Sequence, residues 1–371
     1  MTYGLRLQID EFLSLAQQYP VLDVRSPGEY GHAHIPGAYS LPLFSDEERK
    51  MVGTAYKQQG REEAIKIGLD YFGGKMRKMV EEVEQIVKNH KTENNPNSQF
   101  QIPNSTKNTV LVHCWRGGMR SAGVAWLLDL YGFKVYTLAG GYKAFRNWVL
   151  QQFEKLWPFK VIGGYTGSGK TIVLKELAKA GHTIIDLEGI AHHKGSAFGD
   201  LGEPKQPTSE LFENKLAMAL DAVKDKEAIW IEDESRRVGD INMPLEFWKN
   251  MRMSPVYFLE VPFEERLKYI TAEYGKFKNE NLVSAVMRIR KRLGGLNTKN
   301  TINYLLEENY TEAFRILLSY YDKYYTHGLH NREQLETLLT TIPCADTDAK
   351  TNCKKILSCA EPMPVAHKTT T

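Results

Sequence analysis

Phe159-Lys160-Val161-Ile162-Gly163-Gly164-Tyr165-Thr166-Gly167-Ser168-Gly169-Lys170-Thr171 decides the fold of the second half of this 371-residue chain. A short apolar run reads as a buried strand. It passes directly into G-x-x-x-x-G-K-T, with helix-forming residues after it, and that strand–loop–helix context gives the pattern its mechanism. Gly164, Gly167 and Gly169 allow the tight turns that point the amides around Ser168 at a diphosphate. Lys170 is placed for the terminal phosphate, and the Thr171 hydroxyl for Mg2+.

Strand signals at 182–186, 228–231 and 256–261 alternate downstream with helical patterns at 170–180, 209–224 and 245–251. Such alternation predicts a parallel sheet covered on both faces. The run 228–231 ends in Glu232-Asp233-Glu234. An acid there would hold Mg2+, and Glu232 and Asp233 are the two candidates, with a solvated acidic turn as the alternative. Asp186, closing 182–185, is a weaker candidate of the same kind. From 263 to about 341 the pattern is helical. Over 279–293, Leu282, Val286, Ile289 and Leu293 form an apolar stripe, while Arg288, Arg290, Lys291 and Arg292 are basic. Such a helix contacts an RNA backbone, closes over phosphates in the loop site, or is a solvated face. Tyr320, Tyr321, Tyr324 and Tyr325 offer stacking surfaces, although core packing is the expectation for most of them. The tail 345–371 is non-periodic and expected to fray.

Upstream, β-rich segments at 21–24, 109–113 and 134–138 flank helical patterns at 121–130 and 142–153, a first α/β unit over 1–155. A helical insertion with a polar, Asn-rich end occupies 46–108, and its part 91–108 reads as a mobile loop. The second unit spans 156–344. His113-Cys114-Trp115-Arg116-Gly117-Gly118-Met119-Arg120-Ser121 follows a strand and opens a helix. Loop amides, the helix dipole, Arg116 and Arg120 would depress the pKa of Cys114 and hold a substrate's oxyanions.

Composition bounds the class. With 42% hydrophobic and 25% charged residues the chain is globular. Net charge is only +3, so a polyanion must meet a local patch. No apolar run approaches the roughly 18–20 residues of a membrane span. There is no secretory signal, and four cysteines do not make a disulfide framework, so a cytoplasmic setting is expected.

Leu22-Asp23-Val24-Arg25-Ser26-Pro27-Gly28-Glu29-Tyr30, His34-Ile35-Pro36-Gly37-Ala38 and Leu41-Pro42-Leu43, together with the Cys114 loop, resemble the rhodanese family of sulfurtransferases. The resemblance implies a persulfide-type carrier at Cys114, with Asp23 and Arg25 buttressing the loop. Five residues, Trp115 to Met119, separate Cys114 from Arg120. Common single-domain rhodaneses have four, and the longer spacing is also that of cysteine phosphatases. The loop alone therefore leaves chalcogen transfer and phosphate-ester hydrolysis both open.

A rhodanese-like α/β domain followed by a P-loop NTPase-like parallel α/β domain with a helical C-terminal part is a narrow combination. With Gly53-Thr54-Ala55-Tyr56-Lys57, Gly60-Arg61-Glu62-Glu63-Ala64, Leu187-Glu188-Gly189, Gly195-Ser196-Ala197-Phe198-Gly199, Glu232-Asp233-Glu234-Ser235-Arg236 and Arg292-Leu293-Gly294-Gly295, the chain resembles the tRNA 2-selenouridine synthase family. The resemblance implies that wobble 2-thiouridine in tRNAs for Lys, Glu and Gln is S-geranylated with geranyl diphosphate. Selenium from selenophosphate, handed over by the enzyme that makes it, then replaces the S-geranyl group. Cys114 would become an S-selanylcysteine, with Arg116 and Arg120 holding the phosphate. Gly164, Gly167, Ser168, Gly169, Lys170 and Thr171 would hold geranyl diphosphate rather than, or as well as, a nucleotide. Thr171, Glu232 and Asp233 would serve Mg2+, and Arg288, Arg290, Lys291 and Arg292 the tRNA. The rival readings are a rhodanese-fold cysteine phosphatase, or a sulfurtransferase, with a regulatory P-loop domain.

Overall fold

A computed structural model describes residues 4–94 and 108–360. The chain divides into two units, 1–152 with 213–218, and 153–212 with 219–371. The loop expected over 91–108 lies outside the described residues except at its ends; residues 91–94 complete a helix.

In the first unit β1 (Leu5–Leu7), β2 (Val21–Asp23), β3 (Tyr39–Ser40), β4 (Thr109–His113) and β5 (Lys134–Leu138) pair in parallel in the order β1-β5-β4-β2-β3. All five residues of β4 are buried. That is the signature of a central parallel strand covered on both faces, and it is why Val110, Leu111 and Val112 read as an unbroken apolar run. The insertion forms three helices, Asp46–Gln58, Arg61–Gly73 and Met76–Asn94. The first is started by a capping box between Ser45 and Glu48. On the last, Met79, Val80, Val83 and Val87 recur at helical spacing and join the core containing Phe44, Leu127 and Leu128. Each such side chain contributes roughly 1.5–3 kcal/mol of burial.

The second unit contains β6 (Phe159–Gly164), β7 (Ile184–Ile185), β8 (Ile229–Glu232), a small antiparallel hairpin of β9 (Arg237–Val238) and β10 (Ile241–Asn242), then β11 (Val256–Glu260) and β12 (Leu339–Pro343). The main sheet is parallel, ordered β12-β11-β6-β8-β7.

Two expectations are corrected here. The stretch 263–341 is not helical to its end, because β12 adds an edge strand to β11. The tail is not frayed from 345, because Ala349–Ala360 is a helix. Its lysines 350, 354 and 355 lie on the outer side, while Cys353 and Ile356 are buried in the cluster of Leu174 and Leu177. Three lysines in one helix mask so short an apolar stripe from any composition-based reading. Residues 361–371 lie outside the described range.

Candidate functional site: two phosphate-sized loops at the ends of central strands

Cys114 follows β4, the middle strand of its sheet. The loop doubles back through Gly117 at φ +62° before the helix Met119–Tyr131. It is clamped from behind by the start of the helix Gly141–Glu154: Tyr142 N–H donates to the Cys114 carbonyl at 2.8 Å, and Lys143 N–H to that of Trp115 at 3.0 Å. Gly141 is obligatory. It sits at φ +61°, and a Cβ there would lie 2.3 Å from the Cys114 carbonyl oxygen and 2.4 Å from the Gly117 nitrogen, both rigid backbone atoms.

The Cys114 thiol is buried and lies 3.3 Å from the Ser121 hydroxyl. Burial pushes its pKa up, but the Ser121 hydrogen bond and the nearby Arg120 charge outweigh this, holding it below the ordinary thiol value. Arg120 is steadied by Glu29, Nη1 to Oε2 at 2.8 Å. Burial raises the Glu29 pKa, yet this bond holds it below the usual carboxylate range. Arg116 and Trp115 are exposed at the mouth.

Asp23 and Arg25 form a fully buried pair at 2.6 Å. The Arg25 guanidinium stacks 3.8 Å from the centre of the Tyr142 ring. Through Tyr142 the pair supports the backbone that carries Cys114, which is a positioning role.

In the second unit the G-x-x-x-x-G-K-T loop leaves β6, again the middle strand. Gly164, Gly167 and Gly169 have φ of +150°, +81° and +78°. A Cβ on Gly164 would strike the Ser168 hydroxyl at 2.4 Å, and one on Gly167 would strike Ile270 Cγ1 at 2.7 Å. Lys170 Nζ donates to the Gly164 carbonyl at 3.0 Å, spanning the loop where a terminal phosphate would lie. The loop is braced from outside. Gly164 N–H donates to the Tyr325 hydroxyl at 3.1 Å, and Arg266, paired with Asp322 at 2.8 Å, donates to the Thr166 carbonyl at 3.1 Å.

The acids divide differently from expectation. Asp233 spends both oxygens elsewhere, accepting from the Tyr325 hydroxyl at 2.8 Å and from Arg332 at 2.7 Å. It steadies the loop while also standing on the wall of the cavity the loop opens on. Glu188, two residues beyond Asp186, accepts from the Thr171 hydroxyl at 2.7 Å. Only its position just past a strand end hinted at this. Glu232 is fully buried; one oxygen accepts from Leu187 N–H at 3.1 Å and the other has no partner. Burial first pushes Glu188, Glu232 and Glu234 up; the Asp186 charge adds to it at Glu188, and the charges of neighbouring acids, Glu188 foremost, add to it at Glu232 and Glu234, the last of which reaches about 8. Asp186 caps the short helix Leu187–Ala191.

The loop opens on a cavity of about 630 Å3. Its walls include Lys170, Lys194, Arg252 and Arg292, as well as Tyr269, Tyr274, Tyr320, Tyr321, Tyr324 and Tyr325. The four tyrosines on the helix Tyr310–His330, expected mostly as core, face this cavity instead. Of the basic helix Asn279–Leu293, Arg292 reaches the cavity. Arg288 is paired with Asp200 at 2.7 Å, and Arg290 and Lys291 are exposed.

Residues 157–341 match the family model described as "tRNA 2-selenouridine synthase AAA domain", and residues 8–147 match the rhodanese-like domain. Proteins named tRNA 2-selenouridine synthase are similar over most of the chain. The one from Sulfurovum sp. (strain NBC37-1) is 37% identical, over 79% of this chain and 80% of that protein. The one from Hydrogenovibrio crunogenus is 33% identical, over 88% and 94%. That from Pseudomonas putida (strain W619) is 36% identical, over 74% and 76%. The chain belongs to the tRNA 2-selenouridine synthase family. Its two α/β units are the rhodanese domain and the P-loop domain of that family. No helix among the described residues is long and apolar enough to cross a membrane.

Proposed function

We propose that this chain is a cytoplasmic, tRNA-modifying transferase that converts wobble 2-thiouridine in tRNAs for Lys, Glu and Gln into 2-selenouridine in two steps. The observation that carries the proposal is the pairing, in one chain of this family, of a cysteine loop with a lowered thiol pKa and a phosphate loop opening on a tyrosine-walled cavity.

In the first step the thiocarbonyl sulfur attacks C1 of geranyl diphosphate. The C–O bond breaks with its electron pair going to diphosphate, and the uridine N3 proton is lost. A thiocarbonyl sulfur is a poor leaving group, and alkylation turns it into a thiol that departs readily. The loop amides and Lys170 receive the diphosphate charge. Tyrosine faces suit the positive charge that develops on the allylic carbon.

Mg2+ fits this site. Glu232 presents a buried oxygen without a partner, and burial followed by the charges of neighbouring acids pushes its carboxyl up. Thr171 and Glu232 would hold it, with Glu188 beside them. Among the described residues no three acidic, His or Cys side chains converge on a metal by themselves. That accords with an ion held mainly by phosphate and water. When bound, Mg2+ neutralises charge on the departing diphosphate.

In the second step selenium from selenophosphate, handed over by the enzyme that makes it, takes the place of the S-geranyl group. Cys114 carries it as S-selanylcysteine: the thiolate attacks selenium, and the P–Se bond breaks with its electron pair going to phosphorus, which leaves as phosphite. The terminal selenium then attacks C2 of the S-geranyl base and geranylthiol leaves. An external low-molecular-weight thiol attacks the Cys114 sulfur, the Se–S pair going to the selenium of 2-selenouridine, and a second equivalent of that thiol restores the Cys114 thiol. Arg116, Arg120 and the loop amides hold the phosphate oxygens. The exposed Arg290 and Lys291 and the cavity-lining Arg292 serve the tRNA backbone, with Arg288 steadying the helix.

The test is nucleoside mass spectrometry on 2-thiouridine tRNA incubated with the protein and geranyl diphosphate, with and without selenophosphate. The expected outcome is an S-geranyl nucleoside that becomes a selenonucleoside once selenophosphate is added. Unchanged thiouridine in both, alongside hydrolysis of an aryl phosphate, would instead establish the phosphatase.

A further inference from the structure

A second, much smaller cavity adjoins the large one in the P-loop unit. It has a volume of about 20 Å3, room for one water-sized group. Thr166, Ser196, Ile270, Tyr274 and Tyr321 line both cavities. The shared wall therefore starts at the phosphate loop, since Ile270 packs directly beneath Gly167. The far wall is Phe198, Phe314, Leu317 and Leu318, all no more than 3% exposed.

Water gains little in this space, because the far wall offers hydrocarbon and no hydrogen-bond partner. The polar ends of Ser196, Tyr274 and Tyr321 in the shared wall are already engaged. The Tyr321 hydroxyl accepts from Ala197 N–H at 3.1 Å, and Tyr321 and Tyr274 both hydrogen-bond the Ser196 side chain. Their ring faces are what remains to meet a ligand. An apolar chain whose diphosphate is fixed at Lys170 would run along these rings and end against the far wall.

We propose that this small cavity is the end stop of the prenyl site: it takes one terminal methyl of the geranyl chain, and Leu317 and Leu318 set the accepted length. The inference rests on the function proposed above and adds to it the determinant of chain length. The large cavity alone is too roomy to discriminate ten carbons from fifteen. A close-packed apolar floor discriminates by steric exclusion, because overpacking it forces side chains off their rotamers.

The experiment measures kcat/KM for S-alkylation of 2-thiouridine tRNA with dimethylallyl, geranyl and farnesyl diphosphate, read by nucleoside mass spectrometry. Leu317→Ala should raise the farnesyl-to-geranyl ratio at least about tenfold. Leu318→Phe should lower the geranyl-to-dimethylallyl ratio by a similar factor. Leu317→Val, which removes one methylene, should shift the ratio in the same direction as Leu317→Ala by a smaller factor, and it serves should the larger truncation fail to fold. Folded variants with unchanged ratios, beside a wild type that uses geranyl diphosphate, overturn the end stop and leave the proposed function standing. A folded wild type that uses none of the three overturns both.

Discussion

The two loops invite comparison because they are built alike and left in opposite electrostatic states. Each leaves the middle strand of a five-stranded parallel sheet and turns into a helix through positive-φ glycine, Gly117 in one and Gly164, Gly167 and Gly169 in the other. In the cysteine loop the charges are matched by the protein itself. Arg120 is paired with Glu29, Cys114 lies beside Ser121, and the thiol is held low without any ligand. In the P-loop site the acids outnumber Lys170, the cation that acts on Glu188 and Glu234. Glu188, Glu232 and Glu234 crowd one another and are pushed up, and the Ser168 hydroxyl and one Glu232 oxygen are buried without partners. One site lowers its thiol with its own residues. The other, under the function proposed above, would be completed by a cation and a diphosphate.

The sharpest way to break this contrast is to remove the reactive group from each side. Cys114→Ala should cut selenation by at least about 10³-fold while S-geranyl tRNA accumulates. Selenouridine formed at the normal rate would show that Cys114 is not the carrier. On the other side, Lys170→Ala should slow geranylation by about 10²–10³-fold, the scale for losing one charge-stabilising donor. Nucleoside mass spectrometry reads both.

Gly141→Ala tests whether the cysteine loop is held by backbone shape. The clash with Cys114 and Gly117 at positive φ should cost about 1–3 kcal/mol in urea unfolding, together with selenation.

The electrostatic contrast itself is read by pH. The pKa of Glu234 is about 8 in the fold, well above that of an unfolded carboxyl. The folded state thus binds more protons between about pH 4.5 and 8, so its stability should fall as pH rises through that window. Glu234→Gln should flatten the slope in Tm against pH, and Mg2+ with diphosphate should do the same for the wild type. The smallest effect is expected at Cys114. Its pH midpoint for iodoacetamide alkylation should lie below that of a free cysteine and move upward in Ser121→Ala. An unmoved midpoint would remove Ser121 from the account.

Much of this was legible in the residues. Each sheet's middle strand is short and apolar, and the loop that leaves it is dense in glycine and cations, so β4, β6, Cys114, Arg120, Lys170 and Thr171 stood out directly. What stayed hidden was made by long-range meeting. Tyr325 and Arg332, about 100 residues from Asp233 in sequence, decide that this acid braces the loop. Strands as short as Leu5–Leu7 and Tyr39–Ser40 carry no period to read, and β12 is a strand only because β11 offers it an edge.

The sequence by itself determined the two α/β units, their order and the place of their glycine-rich loops, because glycine turns, apolar strands and G-x-x-x-x-G-K-T act locally. Only the tertiary structure decided which acid stands by Thr171 and that a row of tyrosines walls a cavity rather than filling a core. It alone decided that a lysine-bearing tail is a packed helix. Those outcomes depend on which distant side chains share a desolvated space, and burial and pairing are properties of that space rather than of any one segment.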